Sequence, residues 1–244
     1  MSDGVLIAQG TGPVIPDFGE GSKCVTENRL FCPDWVRDNW HSVIQPALLQ
    51  HIKLTLIAVA IGFALAFVAA VVTHRYRLTE KPFGAFSAVV YTIPSLALFQ
   101  LLVPITGLTV TTAEVALVGY TLLILYRNIL AGLRSSPPEV LEAARGMGLT
   151  RGQMLRRVEL PLALPATFAG LRVAVVSTIA LATVAAFVIP QGLGHPIFLA
   201  LREYFKTEII VAGGLAIGLA LVADGGLVLL ERALTPWARA RRGA

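Results

Sequence analysis

Arg172 and Asp224 each stand alone as a charge inside a long apolar run. A charge so placed is costly without a partner. At about 1.5 Å of rise per residue, the two sit at depths about 6 Å apart when counted from the same membrane face. A long arginine side chain spans that gap. One reading is an ion pair that holds two helices in register. A second has each side chain snorkelling apart, and a third has Asp224 facing a pathway and attracting a cationic solute. Polar and aromatic groups gather once more at Tyr91-Thr92-Ile93-Pro94-Ser95, where proline removes a backbone donor. A helix broken there opens polar backbone to a pathway, or is simply kinked. Aromatic faces attract cations; Tyr91, Phe99 and Tyr120 could line a weak aromatic cage. Catalytic chemistry finds little support. There is no G-x-x-x-x-G-K-[ST] phosphate loop and no H-E-x-x-H pair. His41, His51, His74 and His195 are scattered and read as interfacial or solvated. No metal site is assigned, and no catalysis is expected from this chain alone.

The elements that must position these residues are those of a membrane protein. Hydrophobic residues make up 55% of the 244 and charged residues 14%, against about 25% charged in soluble domains. Mean hydropathy is +0.72. These values exclude a disordered chain and argue against a soluble enzyme. A net charge of +5 and a pI of about 9.6 fit membrane topology better than nucleic-acid binding. Five segments approach the roughly 20 apolar residues that a spanning helix needs. They are Leu54–Val72, Phe86–Ile105, Ala113–Tyr126 (extended by Leu108–Thr112), Leu162–Ile189 and Ile209–Leu230. The expected fold class is therefore all-α, a polytopic membrane protein with five core transmembrane helices. Gly214 and Gly218 form a small-xxx-small pair that predicts close helix packing, at a subunit seam or within one subunit.

Five spans put the two ends on opposite sides. Basic residues concentrate in 75–81, in 127–157 and in the C-terminal tail, and are sparser in the alternate segments. The positive-inside rule then places the N-terminus outside and the C-terminus in the cytoplasm. The early apolar run Val5–Ala8 is far too short for a signal peptide. Under this topology Cys24 and Cys32 lie on the oxidising side, and a disulfide between them is expected. Between Asp34 and Leu49, Val36, Trp40, Val43, Ile44 and Ala47 recur at helical spacing. This predicts an amphipathic helix lying on the outer surface, or a short helix packed on the outer ends of the spans.

The longest inner loop runs from Arg127 to Leu160. Ser136-Pro137-Pro138-Glu139 reads as a capping box with proline at the first helical position. That helix should run to Gly146. Thr150-Arg151-Gly152-Gln153 is a second capping box, and its helix should end near Pro161. Val140, Ala144 and Met147 form an apolar stripe on the loop. A capped, partly apolar helix pair on the cytoplasmic side is a docking surface. A DNA-binding helix–turn–helix is a poor alternative for a membrane-held loop carrying Glu139, Glu142 and Glu159. A plain amphipathic connector is the other.

The loop resembles a known family. Glu142-Ala143-Ala144, three residues, Gly148, nine residues, then Val158-Glu159-Leu160-Pro161 is similar to the EAA loop of binding-protein-dependent ABC importer permeases, with valine where the family has isoleucine. Tyr91–Leu98, Glu142–Leu149, Val158–Pro165 and Ala169–Arg172 resemble the osmoprotectant branch (glycine betaine, carnitine, choline). Ile189–Gly194 departs from the glycine-rich stretch common there. The resemblance covers about Gln50 to Trp237. It implies a permease subunit of an ATP-driven importer. Its partners would be a cytoplasmic ABC ATPase dimer, a second permease subunit (identical or homologous) and an extracytoplasmic substrate-binding protein, with the lipid membrane around it and no nucleic acid. It also implies that Glu142, Ala143, Ala144 and Gly148, with Leu160 and Pro161, dock the ATPase. ATP and Mg would be bound by that partner, leaving no cofactor in this chain. Tyr91, Pro94, Ser95 and Asp224 are the pathway candidates.

The implied organisation is an extracytoplasmic tail and interfacial helix over 1–50, a permease domain over 51–235 with its coupling loop at 136–161, and a basic cytoplasmic tail over 236–244. The implied location is the bacterial cell membrane, multi-pass. Alternatives are an ABC permease for another small solute such as an amino acid, a self-sufficient channel or secondary carrier, and a scaffold that recruits an ATPase without transporting.

Overall fold

A computed structural model describes residues 22–237. Val5–Ala8 and the tail arginines Arg239, Arg241 and Arg242 lie outside the described residues. Within them, every regular element is helical. In chain order they are α1 (Lys23–Thr26), α2 (Pro33–Asn39), α3 (Gln45–Arg75), α4 (Glu80–Thr92), α5 (Ser95–Thr106), α6 (Val110–Arg134), α7 (Pro138–Gly146), α8 (Arg151–Met154), α9 (Leu160–Ala185), α10 (Gly194–Glu203) and α11 (Lys206–Leu234). Four helical runs are long and apolar enough to cross a membrane, and the bent pair α4–α5 brings the number to five.

Apolar length explains the long helices. The 31 residues of α3 reach about 46 Å at 1.5 Å per residue, more than a hydrocarbon core of about 30 Å requires. Helices α3, α6 and α9 pack together at the centre, with α4 and α5 against α6, and α10 and α11 against α9. Two apolar layers hold the centre. One contains Ala58, Phe99, Leu117, Tyr120 and Ala182; the other contains Ala66, Leu125, Ile129, Leu133 and Ala163. Between layers the helices approach closely. A side chain at Gly62 would overlap the Thr121 hydroxyl, and one at Gly170 would strike Asn128.

Several elements depart from expectation. The helix foreseen over Asp34–Leu49 is not a separate surface element. It forms the start of one helical run, Pro33–Arg75, that continues into the first span. The joint is a π-turn, Trp40–Ile44, in which the Gln45 N–H reaches back to the Trp40 carbonyl just before Pro46. The same device recurs at Leu155–Glu159, where the Leu160 N–H bonds the Leu155 carbonyl just before Pro161. A widened turn relieves the clash between the proline ring and the carbonyl of the preceding turn. The second loop helix therefore does not end near Pro161, but runs from Arg151 through α9 to Ala185.

The first capping box is absent. Helix α7 starts at Pro138 with Pro137 as its cap, and the Ser136 hydroxyl is buried without a hydrogen bond among the described residues. Two successive prolines hold the backbone extended there, so the serine cannot turn back onto the helix end. The second box forms. The Gln153 N–H donates to Thr150 Oγ1 at 3.4 Å, and the Thr150 N–H donates to Gln153 Oε1 at 2.9 Å.

Phe86–Ile105 is not one rod. Helices α4 and α5 meet at 103° across Ile93-Pro94. Helix α10 was not foreseen, its ten residues being too few to register as a span.

Candidate functional site

The break in the second span builds a cleft of about 460 Å³ between α4, α5, α6 and α9. Tyr91, Pro94 and Ser95 line it, opposite Tyr120, Ser177 and Thr178. Proline removes the donor at position 94 and leaves neighbouring carbonyls short of partners. The Tyr120 hydroxyl answers one of them, donating to the Ile93 carbonyl at 2.5 Å. The rings of Tyr91 and Tyr120 stand edge to face with centroids 6.1 Å apart. Tyr91 is exposed within this chain and Tyr120 is buried. The three-ring cage does not form, because Phe99 is fully buried in the core and does not line the cleft.

Asp224 is also not among the lining residues. It accepts two hydrogen bonds from Arg172, Nε to Oδ1 at 2.7 Å and Nη2 to Oδ2 at 2.9 Å, which ties α9 to α11. This fork geometry fixes orientation as well as charge. Of the pathway candidates, the structure gathers Tyr91, Pro94 and Ser95 and sets Asp224 apart from them.

The loop presents a divided face. Glu142, Ala143 and Gly148 are exposed, whereas Ala144 is buried. Gly148 has φ +78°, a turn that glycine adopts without strain. Leu160 and Pro161 are half-buried at the head of α9, behind the loop. The expected stripe is split: Ala144 packs inward, while Val140 and Met147 face out. In α11, Gly214 and Gly218 pack against nothing within the described chain.

One histidine contradicts the interfacial or solvated reading. His51 is fully buried. Its Nδ1 accepts the Leu193 N–H at 3.2 Å, so Nε2 carries the proton and donates to the Ile179 carbonyl at 3.1 Å. Beside it, Gln50 Oε1 accepts the Gly192 N–H at 3.1 Å. His51 thus joins α3, α9 and the 186–193 loop. A histidine amid charged and apolar neighbours gives no sequence signal of such a role. His74 is half-buried and lies 3.2 Å from Glu159. His41 is exposed and bonds Gln45, and His195 is half-buried.

Near the N-terminal end of the described residues, a disulfide joins Cys24 and Cys32. It closes a hook that packs Val25 and Cys32 on Phe205 and Ala200. Asn28 in the hook donates to the Tyr204 carbonyl at 2.7 Å and accepts the Lys206 N–H at 3.1 Å, capping α11 from a distance.

Helices of this number and order, a cleft at a broken span and a capped helical loop define a transporter membrane subunit. Residues 48–235 match the family described as binding-protein-dependent transport system inner membrane component, and the chain belongs to that family. It is similar to the choline transport system permease protein OpuBB of Bacillus subtilis (strain 168), 37% identical over 77% of this chain and 86% of that protein. It is also similar to the glycine betaine/carnitine/choline transport system permease protein OpuCB of the same organism, 35% identical over 77% of this chain and 86% of that one. The osmoprotectant import permease protein OsmW of Salmonella typhimurium (strain LT2) is 37% identical over 77% of this chain and 89% of its own. The fold is shared with a chain of the MetNI methionine ABC transporter, at TM-score 0.71 and 20% identity, covering 81% of this chain and 98% of that one.

Proposed function

We propose that this chain is the permease subunit of an ABC importer for quaternary-amine osmoprotectants of the glycine betaine, choline and carnitine type. The observation that carries the reading is the division of the loop face. Ala144 is buried, while Glu142, Ala143 and Gly148 are left open for a partner's groove. An ATPase dimer docks on that face, binds ATP and Mg, and performs the hydrolysis; this chain is not catalytic. The C-terminus and the loop are cytoplasmic and the N-terminal hook is outside, in line with the basic residues of the loop. A second permease subunit completes the pathway, and an external binding protein delivers the solute. ATP-driven closure of the ATPase pair moves α7–α8 and, through the unbroken run to Ala185, moves α9 beside the cleft. The cargoes that the relatives are named for and the tyrosine pair at the cleft both support a quaternary amine.

The tagged chain pulled down from native membranes should bring an ATPase with it. Glu142→Arg and Gly148→Asp should each lose the ATPase while the chain stays in the membrane. A chain that purifies alone, or variants that keep every partner, would sink the importer reading and leave a self-sufficient carrier, tested by flux in liposomes. In the reconstituted complex, glycine betaine with its binding protein should stimulate ATP hydrolysis. Stimulation by an amino acid alone would overturn the cargo.

A further inference from the structure

At the end of α3 farthest from the hook lies a second cavity of about 560 Å³, separate from the cleft. Three guanidinium groups line it: Arg75 closes α3, Arg145 lies on α7, and Arg151 opens α8. Among the described residues none of the three pairs with a carboxylate. Arg75 is engaged only with its neighbour, donating from Nε to the Tyr76 hydroxyl at 3.4 Å. The one carboxylate in the wall, Glu159, is held by His74 at 3.2 Å. The cavity therefore carries an excess of positive charge drawn from three separate elements. The rest of its wall is apolar, including Leu149, Met154 and Leu155.

We propose that this cavity binds the phosphate of an anionic phospholipid headgroup. Guanidinium forks match phosphate oxygens in geometry and charge. The apolar wall suits a ligand that carries a hydrocarbon portion, which a free phosphate lacks. The cavity also sits at the terminus of a membrane-spanning helix, where headgroups lie. Because Arg75 belongs to a span and Arg145 and Arg151 to the loop, an occupant fastens the loop to α3. Lipid composition would then bias the element proposed to couple to the ATPase. The site itself requires neither the ATPase nor any particular cargo.

The test uses the purified full-length chain in uncharged detergent, titrated with dioctanoyl phosphatidylglycerol, dioctanoyl phosphatidylcholine or inorganic phosphate, with bound lipid counted by native mass spectrometry. Phosphatidylglycerol should bind and phosphatidylcholine should not. Arg75→Gln/Arg151→Gln should weaken phosphatidylglycerol about thirtyfold, at about fivefold per arginine. Either single variant serves if the double variant fails to fold. Arg156→Gln, an exposed arginine outside the cavity, should leave binding unchanged. Phosphatidylglycerol binding that survives the double variant, or falls equally with Arg156→Gln, overturns the site. Inorganic phosphate binding as tightly as the lipid, and competing with it, overturns the lipid as the source.

Discussion

At the scale of single residues, the ion pair and the buried histidine make the sharpest claims. Arg172 and Asp224 pair in a fork on two membrane-spanning helices. Removing either partner strands the other charge in an apolar setting. Asp224→Asn and Arg172→Gln should therefore impair the complex to similar degrees, and the double variant should lose less than the sum. A double-mutant cycle on thermal stability should show the two losses to be clearly non-additive. Loss of transport in Asp224→Asn alone would instead return Asp224 to the pathway. His51→Phe removes two hydrogen bonds worth about 1 kcal/mol each and frees the Leu193 N–H. The expected outcome is a lower unfolding temperature and basal ATP hydrolysis no longer coupled to the binding protein. Unchanged coupling would limit His51 to packing. Both carboxylate oxygens of Glu114 are buried with no hydrogen-bond partner among the described residues.

At the scale of elements, prolines decide where helices bend and where they break. At Pro46 and Pro161 a π-turn precedes the ring and the helix continues. At Pro94 no such turn precedes it, and the chain swings through 103°. There the Val90 carbonyl, which a donor at position 94 would serve in a continuous helix, takes the Ile93 N–H at 3.4 Å, and the Ile93 carbonyl, between the two helices, accepts the Tyr120 hydroxyl. Pro94→Ala should restore a backbone donor, favour a straighter α4–α5 and narrow the cleft. Transport should fall severalfold with the protein still folded and assembled, as measured by uptake against circular dichroism. Wild-type uptake in Pro94→Ala would remove the cleft from the pathway. The Asn28 cap on α11 is likewise an arrangement between distant segments, its partners lying 176 and 178 positions along the chain.

For the whole molecule, the question is which way it faces. The disulfide and its hook belong on the oxidising side if the N-terminus is outside. In intact cells, a membrane-impermeant maleimide should label Cys24 and Cys32 only after treatment with an impermeant reductant. Labelling that requires permeabilised cells would reverse the topology and place the coupling loop outside, where no ATPase could reach it. Helix α11 is the least covered of the long helices, with Gly214 and Gly218 open to the surroundings.

Most of this architecture was legible in the sequence, because bilayer length and backbone satisfaction are one-dimensional constraints. Apolar runs marked the first, third, fourth and fifth spans but not their ends: α3 begins at Gln45 rather than Leu54, and α6 runs on past Tyr126 to Arg134. The Thr150–Gln153 cap could be read because both of its partners lie within one turn. The spacing of Glu142, Ala143, Ala144 and Gly148 identified the loop, and two lone charges suggested their own pairing. Other features depended on groups distant in sequence. At the Pro94 break the Ile93 carbonyl is met by a tyrosine 27 positions along the chain, a partner that the sequence cannot show. The Ser136 cap failed because its backbone was already committed by two prolines. His51 looked solvated because its partners, Ile179 and Leu193, arrive only when α9 and the loop after it fold back over α3. Local chemistry and apolar length are written along the chain; a hydrogen bond between distant backbones exists only once packing has brought them within 3 Å or so.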